Sequence, residues 1–198
     1  QASTDFAIAV DPTSPDVAYV AGDRIANSPF TVTAFRGVRR ADGTPGAEPT
    51  NWRGFFSQPT WKLDPTTGEY YMHLFTPEQP DLNWEQPEVR AAGYEMMRWW
   101  LDRGVDGFRM DVINLISKHQ LVDGVPPAGR TRVSSFFFTA NGPRLDEFLA
   151  EMNAEVGLDA RNLLTVGEMP GSTIETARRA TDPANHELNM VFTFEHVN

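Results

Sequence analysis

Asp111 and Glu168 are the residues of this chain whose types and placement suit chemistry. Asp111 lies in Gly104-Val105-Asp106-Gly107-Phe108-Arg109-Met110-Asp111-Val112-Ile113-Asn114, which reads as a buried strand ending in an arginine and a carboxylate. On a strand, Arg109 and Asp111 project from the same face. A carboxylate beside a fixed positive charge is kept ionised and held in place, which suits a nucleophile. Glu168 ends a second apolar strand, Leu163-Leu164-Thr165-Val166-Gly167-Glu168. Two carboxylates on neighbouring strand ends are the minimum equipment for cutting a glycosidic bond.

The segments around these strands alternate in texture. Residues 86–103 read as a helix, with Pro87 in its first turn and Gly104 just past its end. Val89, Ala92, Met96, Trp99 and Trp100 are expected as its apolar stripe. Trp99 and Trp100 cannot face the same side of a helix, so one of them is expected to be exposed or to meet the part of the chain that precedes the helix. After a Gly/Pro-rich excursion through 121–143, a second helix is expected from about Pro143 to Val156. Its buried face would be Leu145, Phe148, Leu149, Met152 and Val156. Ser172-Thr173-Ile174-Glu175 has the form of a capping box opening a short helix to about Ala180. Asn189-Met190-Val191-Phe192-Thr193-Phe194-Glu195-His196 reads as a third buried strand. Helix and strand in alternation imply right-handed parallel crossovers. In a β/α barrel the catalytic residues stand at the C-terminal strand ends, and Asp111, Glu168 and Glu195/His196 all fall at such ends.

The preceding part differs. Residues 5–25 read as strand, turn, strand, with Asp11-Pro12-Thr13-Ser14-Pro15-Asp16 as the turn. Residues 26–60 read as irregular structure with short strands, anchored by Trp52, Phe55 and Phe56, and Gly68 to Phe75 as a further strand.

Bulk properties narrow the function classes. The chain has 198 residues and 40% hydrophobic content, enough for one ordinary core or one and a half domains. Seventeen basic and 27 acidic residues give a net charge of −10, a poor fit to phosphate-mediated nucleic-acid binding and compatible with a neutral substrate. Without cysteine there is neither a disulfide nor a thiolate metal site, which fits a reducing compartment. No apolar run is long enough to span a bilayer, and no signal-peptide pattern is visible. These features lead to the expectation of a cytoplasmic protein that binds neither nucleic acid nor membrane. The first residue is not Met, so the sequence is expected to begin inside a longer product.

The motifs resemble the α-amylase superfamily, glycoside hydrolase family 13, and within it the oligo-1,6-glucosidase and α-glucosidase branch. Gly107-Phe108-Arg109-Met110-Asp111 is similar to the nucleophile strand of that family, and Thr165-Val166-Gly167-Glu168-Met169-Pro170-Gly171 to its acid/base strand. Gln79-Pro80-Asp81-Leu82-Asn83 resembles the branch's marker before the third barrel helix, and Phe192-Thr193-Phe194-Glu195-His196 its sixth strand. Asn51-Trp52-Arg53-Gly54-Phe55-Phe56 and Tyr70-Tyr71-Met72-His73-Leu74-Phe75 resemble the lobe inserted after the third strand. The resemblance covers roughly residues 48–198.

It implies a partial TIM-type β/α barrel, about strands 4 to 6, preceded by an irregular β-rich inserted lobe. The domain expectation is an N-terminal hairpin segment at 1–25, the lobe at 26–85 and the barrel part at 86–198. It implies retaining hydrolysis of α-glucosidic bonds in short oligosaccharides, with Asp111 as nucleophile and Glu168 as acid/base. Arg109, Val112, Glu195 and His196 would contact substrate. Val112 after the nucleophile leans towards α-1,6 bonds, although a methyl-scale difference moves specificity by only about 1–3 kcal/mol. No cofactor and no metal are implied. Asp81 matches a calcium-binding position of some amylases, and here a turn or helix-start role is expected. His73 and His119 are expected to be structural or surface residues.

Some family features do not match. An Asp-x-x-x-Asn-His third strand and an Asn-His-Asp seventh strand are not in the sequence, and Asn185-His186-Glu187 is only superficially similar to the latter. Residues 6–23 look more like a β-propeller repeat hairpin than the family's text. The alternatives are a glucosyl-transferring relative, of trehalose synthase or dextran glucosidase type, and a non-catalytic fragment.

Overall fold

The computed structural model describes residues 7–11, 14–21, 34–35, 46–66 and 68–194, the first three stretches by backbone alone. In chain order the strands are β1 (Ala7–Asp11), β2 (Ser14–Ala21), β3 (Ala34–Phe35), β4 (Trp52–Arg53), β5 (Trp61–Asp64), β6 (Glu69–Met72), β7 (Gly107–Met110), β8 (Val133–Ser134), β9 (Leu164–Glu168) and β10 (Met190–Phe192). The helices are α1 (Pro87–Leu101), α2 (Phe136–Thr139), α3 (Leu145–Val156) and α4 (Ile174–Ala180). β1 and β2 form the antiparallel hairpin expected of residues 5–25. The rest gathers into two compact units, one holding the described residues of 22–83 and 120–138, the other those of 84–119 and 139–194.

The second unit carries both catalytic candidates. β7, β9 and β10 make a parallel sheet in the order β10-β9-β7, the arrangement expected of the helix–strand alternation. α3 buries Leu145, Phe148, Leu149, Met152 and Val156, the face its spacing predicts. It ends on Gly157 in the left-handed region, where a residue without Cβ is unstrained. α1 departs from expectation. It buries Val89, Arg90, Tyr94, Met97 and Trp100, whereas Ala92 and Met96 are half-buried and Trp99 is exposed. The helix can turn Arg90 inward because the guanidinium is satisfied there. Its Nε lies 2.9 Å from a Glu151 carboxylate oxygen, an Nη donates to the Trp84 carbonyl, and it sits over the Phe148 ring.

Met110, Ile113, Leu145, Leu149, Met152, Met169 and Leu188 form the centre of this core. Gly167 sits against it, where a Cβ would fall 2.6 Å from Leu188 Cδ1. A side chain at this position would push the Leu188 side chain aside, so glycine lets the Glu168 strand pack closely here. α4 begins one residue later than its expected cap. Thr173, not Ser172, is the N-cap, and Thr176 rather than Glu175 completes the reciprocal box. A threonine hydroxyl serves both directions of the exchange as well as a carboxylate does.

In the first unit, β3, β6 and β5 form an antiparallel sheet, and β4 pairs with β8 in parallel through Trp52↔Val133 and Arg53↔Ser134. Trp52 is fully buried, stacks on Phe138 at 4.8 Å and donates its Nε1–H to the Val122 carbonyl at 2.9 Å. Trp61 donates to Thr50 Oγ1 at 2.8 Å. Asn51 takes the Gly124 N–H on its side-chain oxygen and donates its amide to the Gly124 carbonyl.

Candidate active site

β7 ends at Met110, so Asp111 stands just past the strand and not within it. The chain turns sharply at Val112, which is left-handed at φ 39° and ψ 42°, and enters a 3-10 turn over Ile113–Leu115. A β-branched residue is rarely found in that region, so the backbone beside Asp111 is strained. The expected same-face relation of Arg109 and Asp111 nevertheless holds, since one Arg109 Nη donates to Asp111 Oδ1. The other Nη donates to Glu168 Oε2, so one guanidinium holds both carboxylates. The Val112 backbone N–H points to the same Glu168 oxygen at 3.4 Å. The sheet register brings these groups together, with Met110 opposite Gly167 and Phe192 opposite Glu168.

The two carboxylates have unlike surroundings. Glu168 is buried at 8% exposure, whereas the Asp111 side chain is 53% exposed. Burial pushes the Glu168 carboxyl above the ordinary glutamate range, and its hydrogen bond with Asp111 adds to this, against Arg109 and the Val112 N–H pulling down. Burial works against the Arg109 charge, but the bonds to Asp111 and Glu168 outweigh it and raise its pKa. Such an arrangement raises the proton affinity of the buried carboxyl while an exposed carboxyl group stands beside it. That is the division of labour an acid and a nucleophile require.

Among the residues predicted from sequence, Arg109, Asp111, Val112 and Glu168 therefore meet in one place. Glu195 and His196 lie outside the described residues. Two participants were not anticipated. The Phe192 ring faces the Arg109 guanidinium at 5.5 Å, a contact that the strand register could have suggested. Asn114 is fully buried between Ile113 and Leu115, and a polar residue inside an apolar run is the signal that marks it. His73 is buried against the Phe75 carbonyl and His119 is exposed. Asn185-His186-Glu187 forms a turn in which the exposed His186 bonds Asp159 at 2.8 Å. Glu187 is instead buried, and its pKa is pushed up to about 7 by desolvation first and by Asp146 second.

Residues 18–198 match the family model for the α-amylase catalytic domain. The chain belongs to the α-amylase family. Its parallel strands and flanking helices are accordingly part of a β/α barrel. Among family members, the oligo-1,6-glucosidase of Parageobacillus thermoglucosidasius is 56% identical over 156 residues, which are 78% of this chain and 28% of that protein. The trehalose-6-phosphate hydrolase of Bacillus subtilis (strain 168) is 47% identical over 152 residues, 77% of this chain and 26% of that one. Solved structures agree in fold. The trehalose-6-phosphate hydrolase of Bacillus licheniformis superposes with a TM-score of 0.69 at 43% identity, covering 80% of this chain and 27% of that chain. The trehalulose synthase MutB of Pseudomonas mesoacidophila MX-45 gives 0.69 at 34%, covering 85% and 29%. The chain thus spans under a third of the length of these α-amylase family relatives.

Proposed function

We propose that this chain carries the catalytic carboxylates of a retaining α-glucosidase of oligo-1,6-glucosidase type, acting on α-glucosidic bonds of short oligosaccharides. The observation that carries this is the shared Arg109 guanidinium, which holds an exposed Asp111 beside a buried Glu168 whose proton affinity is raised. Asp111 attacks the anomeric carbon while Glu168 gives its proton to the leaving oxygen. Glu168, then ionised, takes a proton from the water that releases the sugar from Asp111. Arg109 orients both carboxylates and limits their repulsion as the proton moves. Arg109, Val112, Glu195 and His196 contact the substrate, and Val112 favours α-1,6 bonds. No cofactor takes part. A cytoplasmic location, supported by the absence of cysteine, belongs to the same proposal.

The oligo-1,6-glucosidase relatives, at 46–56% identity for three of them, support the substrate class. The likeness to a trehalulose synthase favours a second reading, transfer of the glucosyl group to a sugar acceptor in place of water. The decisive measurement is release of p-nitrophenol from its α-glucoside, with isomaltose and maltose as competing substrates. Release that vanishes in Asp111→Asn and in Glu168→Gln is the expected result. Disaccharide products formed in the presence of added glucose select the transfer reading. Absence of release, together with absence of saturable isomaltose binding, overturns both readings for this chain.

A further inference from the structure

Three segments meet at Asn114. It is three residues beyond Asp111, at the centre of the 3-10 turn, and fully buried. Its Nδ2 donates to the Pro170 carbonyl at 2.8 Å, two residues beyond Glu168. The same Nδ2 donates to Asn141 Oδ1 at 3.2 Å, and the Asn141 N–H donates to the Asn114 carbonyl at 2.8 Å. The segment carrying Asn141 is itself fixed. A Cβ on Gly142 would lie 2.2 Å from the Ser117 carbonyl oxygen, and the Arg144 N–H bonds Ser117 Oγ. Asn141 is left-handed at φ 52°.

The amide of Asn114 is not a good choice for packing alone. Its Oδ1 is buried without a hydrogen-bond partner among the described residues, which disfavours burying it. What it supplies is a donor that spans from the turn after one carboxylate to the turn after the other.

We propose that Asn114 is a positioning residue, a strap that fixes the turn after Asp111 to the turn after Glu168 and so sets the spacing of the two carboxylates. It touches neither carboxylate and acts through Pro170 and the Ile113–Leu115 turn. The inference rests on the catalytic assignment above only for its functional meaning, since the strap itself is geometry. With the strap in place, the Val112 N–H faces Glu168 Oε2, and Arg109 reaches both acids. Without it, the Met169-Pro170-Gly171 turn can move away from Val112, and Glu168 loses that backbone donor.

The test is the titration of the Glu168 carboxyl, followed by carbon-13 NMR in the whole chain and assigned with Glu168→Gln. Asn114→Ala should move the Glu168 midpoint upward by about half a pH unit or more, because a donor to the ionised form is lost. Asn141→Gly keeps the left-handed backbone unstrained and removes only one acceptor of the strap. It should move the midpoint in the same direction by less, and it stands in for Asn114→Ala if that variant does not fold. Val156→Ala, a cavity at the end of α3 remote from the Asn141 segment, serves as a control for general loosening and should leave the midpoint in place. An unmoved midpoint in the Asn114 or Asn141 variant, or an equal movement in Val156→Ala, overturns the proposal. Glucoside hydrolysis is a separate readout. kcat should fall roughly tenfold or more in Asn114→Ala, with KM changed by less than about threefold. If the wild-type chain neither releases p-nitrophenol nor binds isomaltose saturably, the catalytic assignment fails, while the titration still decides whether the strap exists.

Discussion

The two units of this chain solve the packing problem in opposite ways. In the unit of residues 84–119 and 139–194, helices with a regular apolar face cover a parallel sheet, and aliphatic contact does most of the work. In the unit of 46–83 and 120–138, strands are two to four residues long and much of the backbone is irregular. There the order comes from directed bonds made by polar atoms on large side chains, such as Trp52 to Val122, Trp61 to Thr50 and Asn51 to Gly124. The contrast teaches that irregular backbone is not weakly specified backbone. It is specified by a few residues, each hard to replace.

That contrast can be broken by experiment. The largest expected effect is at Trp52. Trp52→Ala removes a fully buried indole and should lower stability by about 3–5 kcal/mol. Hydrogen exchange should show the loss concentrated in amides of 46–83 and 120–138. Uniform loss across both units would mean that the two do not differ in the way described.

Next in size is a pH effect in the other unit. Glu187 has a folded-state pKa of about 7, above the ordinary glutamate value, so the folded chain binds its proton more tightly than the unfolded chain does. Its contribution is therefore most favourable below the unfolded pKa. It is lost progressively as pH rises towards about 7 and is flat beyond. The span is on the order of 3 kcal/mol at most. Glu187→Gln should flatten this part of the stability–pH curve, measured as urea midpoints from pH 5 to 8. A variant curve parallel to the wild type would rule out Glu187 as the source.

A shape-conserving pair sharpens the comparison further. Trp52→Phe keeps a ring against Phe138 but leaves the Val122 carbonyl without its donor, and should cost about 1–3 kcal/mol. Leu149→Met, conservative in volume and without polar atoms, should cost less than about 1.5 kcal/mol. Equal losses in the two would remove the distinction between directed bonds and apolar fit. The smallest effect is at Trp99, which is 46% exposed with the Arg103 guanidinium 3.3 Å from its ring centroid. Trp99→Ala should change stability by only about 0.5–1 kcal/mol, read as a small shift in thermal midpoint. A loss several times larger would place this tryptophan in the core.

The same contrast governs what could be read in advance. The buried face of α3 and the parallel order of β7, β9 and β10 follow from periodicity, which a chain displays openly. One exposed and one buried tryptophan at 99 and 100 follows from helix geometry alone. The inward turn of Arg90 was hidden because it depends on Glu151, which is 61 residues distant in sequence. The cap of α4 was misplaced by one residue because Ser172 and Thr173 are both good N-caps, and only the geometry chooses. The parallel pairing of β4 with β8 left no periodic trace, since two-residue strands have no period. At the candidate site the carboxylates were legible as strand-end charges. The Val112 turn was not, because it is a property of backbone path, and of the Asn114 strap only the buried amide was, because its partners lie 27 and 56 residues away in sequence.

The left-handed turn at Val112 has one further consequence. A residue in that conformation is tuned by two selections at once, for the group it presents and for the torsion it tolerates. Alanine there trims the side chain and eases the torsion together, so a changed preference between linkages after Val112→Ala has two inseparable origins. Threonine is also β-branched and keeps the torsional burden while altering polarity. Glycine abolishes that burden and the side chain alike. Read as a series, the three substitutions separate the energetics of the turn from the choice of bond, which no single variant can do.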